Sequence, residues 1–289
     1  MNQKNKILIA GGDYRQTYLA RFLLKHFDKI YTIGFNQTLK FDEITILEDI
    51  TDLDEKADIL ILPPVTTNDG ITVNTPFYNK NLYIDEVLKR LNKNAKIYGG
   101  NITPELFKKF SLYGFYAYDY LKDEKFILEN TIPTAEGALM IAFEETPFVV
   151  FGSKVAILGY GRVGATTASL FKNTGAQVYV FDRKNSKRID AQKQDLTAFE
   201  FDDDKLYDCE IIINTVPCMV LGREKLRKIK KDALIIDLAS KPGGVDLDYA
   251  KQRGLNVIWA LSLPGKVAPV TSGEIIGRTI VSNLLKGGV

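Results

Sequence analysis

The chain has 289 residues, 45% of them apolar and 26% charged, with a formal net charge of +2. That length suits two α/β lobes better than one core, since domains usually run to about 100–200 residues. No run of about 20 uncharged apolar residues is available to span a bilayer, and the cations gather in no face-sized cluster, so membrane and nucleic-acid partners are excluded.

Met1-Asn-Gln-Lys-Asn-Lys6 runs directly into the apolar Ile7-Leu-Ile-Ala10, which is too short for a signal-peptide core and points to the cytoplasm. The pattern then predicts a strand over residues 6–10, a helix over 17–26, and strands over 29–34 and 59–62, the last ending at Pro63-Pro64. A helix follows over 83–91, a strand over 96–98 ending at Gly99-Gly100, a helix over 104–110 and a strand over 114–118. This is a lobe of about five parallel strands, residues 1–133. Ala135, Ala138, Leu139 and Ala142 share one helical face before Pro147 stops the run, so residues 134–150 are expected to form a connector helix capped by Thr134 and Glu136. Thr134 has Gly137 three residues on, so no full capping box forms.

Residues 151–270 repeat the doubly wound pattern, with strands over 153–158, 177–181, 210–214, 233–238 and 256–260. The amphipathic segment 272–285, within a tail of residues 271–289, is expected to pack back on the first lobe. The fold class is therefore α/β, with two doubly wound parallel-sheet lobes. Cys209 and Cys218 have no companion His or Cys, so no metal site is expected and both are read as buried, reduced thiols. His26, the sole histidine, sits among Phe22, Leu23 and Phe27 and is read as structural.

Gly159-Tyr160-Gly161-Arg162-Val163-Gly164 falls between a strand and a helix, the context that a dinucleotide fingerprint requires. Gly159 must turn tightly, Gly161 must let backbone N–H groups reach a pyrophosphate, and Gly164 must let helix and strand touch. The second lobe thus reads as a Rossmann domain over residues 152–265 that binds NAD or NADP. Asp182 closes its second strand and would accept hydrogen bonds from ribose hydroxyls, which favours NAD. Arg183, Lys184 and Lys187 follow and could instead hold a 2′-phosphate or face solvent, so both cofactors stay open. Thr215, Val216 and Pro217 end the fourth strand, where they would lie beside the nicotinamide ribose. Ligands in such lobes sit outside the carboxyl ends of the strands, so a substrate cleft is expected between the two lobes.

Five segments together resemble the family of the dipicolinate synthase A subunit: Gly11-Gly-Asp-Tyr-Arg-Gln16, Pro63-Pro64, Thr134-Ala-Glu-Gly137, the glycine fingerprint, and Leu263-Pro-Gly-Lys-Val-Ala-Pro269. The first and last are particular to that family. The resemblance covers nearly the whole chain and implies NAD(P)-dependent oxidation of dihydrodipicolinate to dipicolinate for bacterial spores, in the cytoplasm of the mother cell. It also implies a flavoprotein-like B subunit of dipicolinate synthase as partner, and a homo-oligomer is expected. A dicarboxylate substrate calls for Arg or Lys, which singles out Arg15, with Asp13 and Gln16 beside it, or else an outward cation paired to Asp13. Lys266 in its Pro264-Gly265 turn and Lys241 before Pro242-Gly243-Gly244 could bind a carboxylate or take the leaving proton, or face solvent. Thr134 and Glu136 are further cleft candidates.

Three other readings compete. A 2-hydroxyacid dehydrogenase needs a general-acid histidine in the cofactor lobe and an arginine near 235–240, and both are missing. A shikimate-type dehydrogenase matches Ile213-Asn-Thr-Val-Pro217, but its first-lobe Lys and Asp are not evident. A non-catalytic sensor of cofactor redox state needs no dicarboxylate pocket.

Overall fold

The computed structural model describes residues 3–34 and 42–287; Met1 and Asn2, on which the reading of the N-terminus opens, lie outside them. The chain divides into two units, Met1–Glu129 with Ala268–Val289, and Asn130–Val267.

In the first unit the strands are β1 (Gln3–Ala10), β2 (Phe27–Ile33), β3 (Ile44–Leu47), β4 (Ala57–Ile61), β5 (Leu91–Gly99) and β6 (Tyr116–Asp119). Between and after them run α1 (Tyr14–Leu23), α2 (Ile84–Lys89), α3 (Pro104–Leu112) and α4 (Glu124–Glu129). All six strands are parallel, in the order β3-β2-β1-β4-β5-β6. This order puts a switch point between β1 and β4, where strand ends open toward a ligand. A sheet covered on both faces must be apolar on both. Ile7 and Ile9 of β1 accordingly enter one buried cluster, and Leu8 and Ala10 the other.

The second unit opens with α5 (Thr131–Glu145), then β7 (Lys154–Leu158), α6 (Arg162–Asn173), β8 (Gln177–Phe181), α7 (Asn185–Gln192) and β9 (Thr197–Phe199). It continues with β10 (Ile211–Asn214), α8 (Arg223–Lys228), β11 (Leu234–Asp237), α9 (Leu247–Arg253), β12 (Asn256–Trp259) and α10 (Leu263–Val267). Its parallel order, β12-β11-β10-β7-β8-β9, is the first unit's order read from the other edge. Helix α11 (Pro269–Leu285) then returns to the first unit and packs on α1. Gly273 and Gly277 make that approach possible, since a Cβ on either would collide with the Arg15 carbonyl or the Phe22 ring. Tyr98 donates to Asn283 Oδ1 at 2.9 Å, and Arg278 pairs with Glu129 at 2.8 Å.

Several sequence expectations shift. Helix α1 begins at Tyr14 rather than 17, because the Asp13 carboxylate accepts from Arg15 N and caps it. Each sheet has six strands rather than five: β3 and β9 are edge strands of four and three residues, partly exposed and so without a continuous apolar run. Helix α5 begins at Thr131, and the unit boundary falls at 129/130 rather than 133/134, so this helix is part of the second unit instead of a separate connector. Pro133 is tolerated there because the first-turn N–H groups of a helix lack partners anyway. Thr134 therefore does not cap; it sits inside the helix and donates to the Asn130 carbonyl at 2.8 Å. Cys209 is buried but Cys218 is exposed, since Cys218 follows Pro217 in the loop beyond the strand. Lys266 lies on the short helix α10, not in an open turn.

Candidate functional site

In the second unit, β7 ends at Gly159, whose φ of +89° only glycine adopts without strain, and Gly161 stands at the N-cap of α6. A Cβ on Gly164 would strike the Gly159 carbonyl oxygen, so this glycine lets helix and turn touch. Gly161 is different. Its backbone is ordinary, and a Cβ there would meet nothing within 4 Å. The space is the cradle a pyrophosphate needs beside the α6 N-terminus, with Arg162 and Val163 in the first helical turn. Asp182, just past β8, accepts from Tyr160 N and Lys184 N, both at 2.8 Å, which holds its carboxylate against the glycine turn. Arg183 and Lys184 are exposed and their side chains have no partner among the described residues, while Lys187 pairs with Asp190 at 3.5 Å.

Arg188, which carries no motif in the sequence, fixes this turn. Its Nη1 donates to the carbonyls of Asp182 and Arg183 at 2.9 and 3.1 Å, and its Nη2 to Glu200 at 2.8 Å. Thr215 turns its hydroxyl inward, donating to the Leu158 carbonyl at 2.9 Å rather than outward to a ribose. Beside it, the Val216 side chain fills the place a Gly159 Cβ would take. Pro217, Lys241 and Lys266 are exposed on the loops and helix beyond β10, β11 and β12. Glu136 is exposed on α5, and Gly137 on the same helix packs against Leu263.

In the first unit, the turn after β1 is tied to its neighbours. Gly12 N donates to the Asn74 carbonyl at 2.9 Å, Asn74 N to the Thr66 carbonyl at 2.9 Å, and the Thr66 hydroxyl to the Gly100 carbonyl at 2.8 Å. Arg15, only 8% exposed, forks onto Asp13 through Nε at 2.9 Å and Nη2 at 2.7 Å. Nη1 is the guanidinium nitrogen that this fork on Asp13 does not use. Burial pushes the Asp13 carboxyl up, and the Arg15 hydrogen bond and charge more than offset this, leaving it below its ordinary range. Asp13 is thus committed to capping α1 and holding Arg15, which explains why it sits beside a cation without serving an anionic ligand. Gln16 is fully buried; its Nε2 donates to the Leu62 carbonyl at 3.2 Å while Oε1 has no partner among the described residues. Tyr120, absent from the sequence candidates, donates to the same carbonyl at 3.0 Å, and burial drives its pKa well above the ordinary phenol value. His26 lies past the other end of α1 against Phe22, far along the chain from this turn.

A Rossmann unit with an open glycine cradle and a carboxylate held at the end of its second strand defines an NAD(P)-binding oxidoreductase. Residues 141–242 match the family described as "D-isomer specific 2-hydroxyacid dehydrogenase, NAD binding domain", and the cofactor is NAD or NADP. Residues 6–121 match the family described as the N-terminal domain of the dipicolinate synthase A subunit. The chain is 34% identical over 300 aligned residues to the dipicolinate synthase A subunit of Bacillus subtilis (strain 168), covering 97% of this chain and 95% of that protein. The crystal structure of the A subunit of dipicolinate synthase from Bacillus halodurans superposes with a TM-score of 0.90 at 31% identity, over 98% of this chain and 99% of that one. The corresponding protein from Bacillus subtilis gives 0.86 at 32% identity, over 99% and 97%. The chain belongs to the dipicolinate synthase A subunit family.

Proposed function

We propose that this chain oxidises dihydrodipicolinate, a dihydropyridine dicarboxylate, to dipicolinate with NAD or NADP, with the B subunit of dipicolinate synthase as its partner. The observation that carries the substrate assignment is the pair of polar groups at the first unit's glycine turn. The Arg15 guanidinium, held by Asp13 through Nε and Nη2, presents Nη1 as a donor to a carboxylate, and the buried Gln16 Oε1, without a partner among the described residues, offers an acceptor to a ring N–H or hydroxyl beside it. NAD or NADP, when bound, accepts the hydride.

The rest of the work falls to positioning. Loss of a hydride and a proton makes the ring aromatic, so the protein needs to orient the donor carbon and let the proton leave rather than force the chemistry. Asp13 holds the Arg15 guanidinium flat by its two-oxygen fork, which fixes the direction of Nη1. Lys241 and Lys266 are exposed cations on the strand-end side of the second unit, and we assign them to the second carboxylate or the departing proton. Thr134, its hydroxyl spent on Asn130, and Glu136, a charge that repels a dicarboxylate, take no part in this reading. Among the described residues no helix is long and apolar enough to cross a membrane. We place the protein in the mother-cell cytoplasm of a sporulating bacterium, as a homo-oligomer joined by the B subunit.

The test is to mix the purified chain, with and without the B subunit, with freshly generated dihydrodipicolinate and follow dipicolinate absorbance and reduced cofactor. Cofactor-dependent dipicolinate formation supports the assignment and settles NAD against NADP. Absence of product in both mixtures, with cofactor still bound, overturns it in favour of a sensor.

A further inference from the structure

We infer that the buried pair Asn214 and Asp237 is a positioning device that sets the loops under the nicotinamide half of the cofactor. Both residues end strands that are otherwise wholly apolar, Ile-Ile-Ile-Asn and Leu-Ile-Ile-Asp, and they face each other in register on β10 and β11. Neither side chain is more than 1% exposed. Two polar groups in such a core have to be satisfied, and here every side-chain bond but the one between them leads to a loop.

Asn214 Nδ2 donates to Asp237 Oδ1 at 2.7 Å, which fixes the amide plane. With its plane fixed, the same amide grips residue 216 at both ends: Val216 N donates to Oδ1 at 3.0 Å, and Nδ2 donates to the Val216 carbonyl at 3.1 Å. Val216 in turn presses its side chain on the fingerprint turn at Gly159. On the other side, Asp237 accepts from Ala239 N at 3.0 Å and from Gly244 N at 2.8 Å, the two ends of the loop that carries Lys241. Gly244 is glycine because a Cβ would run into Asn214 Nδ2 and the Val216 carbonyl. No cation pairs with Asp237 among the described residues; its partners are neutral N–H groups of these loops.

In a Rossmann unit the adenosine half of the cofactor lies over the first three strands and the nicotinamide half over the last three, across the switch point. The Gly159 turn and Asp182 belong to the first half; Val216 and the 239–244 loop belong to the second. The pair therefore holds the loops of the second half directly and reaches the first only through the Val216 side chain. It touches neither cofactor nor substrate, and works through the loops it holds.

Trp259 supplies the readout. It is the chain's single tryptophan, and its Nε1 donates to the Ala239 carbonyl at 2.9 Å, on the loop that Asp237 fixes. Titrating the full chain with NADH, and separately with ADP, while following Trp259 emission and ligand heat measures the two halves apart. In Asp237→Asn the amide presents a donor to one of the N–H groups that Asp237 now accepts, so NADH affinity falls about tenfold, the size expected for about one hydrogen bond. ADP affinity stays within about twofold. Equal weakening of NADH and ADP, or no change in either, overturns the inference. Should Asp237→Asn show no cooperative thermal transition, Gly244→Ala, which pushes on the Asn214 amide from the loop side, is judged by the same two ratios.

Discussion

In the second unit the helix after the first strand opens on Gly161, where a Cβ would face open space, whereas in the first unit the same point of the same strand order carries the Asp13 side chain. The glycines that turn the chain are packed in both units, a Cβ on Gly11 meeting Val73 and the Asn74 carbonyl and one on Gly159 meeting Val216 and Thr215, so the difference lies at the helix N-cap. In the second unit that cap is glycine; in the first it is Asp13, whose charge opposes an incoming phosphate. One architecture thus yields two different sites. The open cradle suits a pyrophosphate, and the turn capped by Asp13 does not. Strand order locates a site, and the side chains around the turn decide its ligand.

The comparison breaks most visibly at Gly164. A Gly164→Val side chain would drive against backbone, with no flexible neighbour to yield, and is expected to weaken NADH by roughly a hundredfold or more while the first unit still binds dipicolinate. Titration of both ligands into one preparation checks this; retained NADH binding would mean that the fingerprint is not the cradle. A smaller effect sharpens the cofactor choice. Asp182→Asn keeps the shape but loses the charge against the glycine turn, so NADH should weaken about tenfold and NADPH by less. A gain for NADPH would hand the ribose pocket to Arg183 and Lys184.

The smallest effect concerns the two thiols of the second unit. Burial pushes the Cys209 thiol up to about 12, while Cys218 is exposed. At pH 8 a thiol reagent should label one cysteine in the folded chain and two after denaturation. Because the folded value lies above the unfolded one, the preference for the neutral thiol is fully present below the ordinary thiol pKa. It is lost as pH rises toward about 12, so alkaline stability should improve in a Cys209→Ser variant only if its packing is kept.

The cofactor turn is legible in the sequence because the bend at Gly159 and the helix contact at Gly164 demand glycine, while Gly161 keeps the cradle open. The doubly wound order is legible for a similar reason: buried parallel strands must be apolar throughout. Edge strands β3 and β9 are not, since their partly exposed residues break the apolar run that marks the equally short β10 and β11. The start of α5 is hidden because Pro133 signals a boundary in sequence but is harmless in a first turn. Arg188, Tyr120 and the Asn214–Asp237 pair act through backbone carbonyls and N–H groups that only the folded chain brings near. The pair does leave one trace: a polar residue closing an all-apolar strand, twice, in neighbouring strands.

The division of labour between the units is tested most directly by Arg15→Ala, titrated with dipicolinate and with NADH in parallel. Loss of a charge-assisted bond of about 1.5–3 kcal/mol predicts dipicolinate weakened roughly ten- to a hundredfold, with NADH affinity within about twofold of wild type. Dipicolinate bound as tightly as before, or NADH lost along with it, would contradict the account.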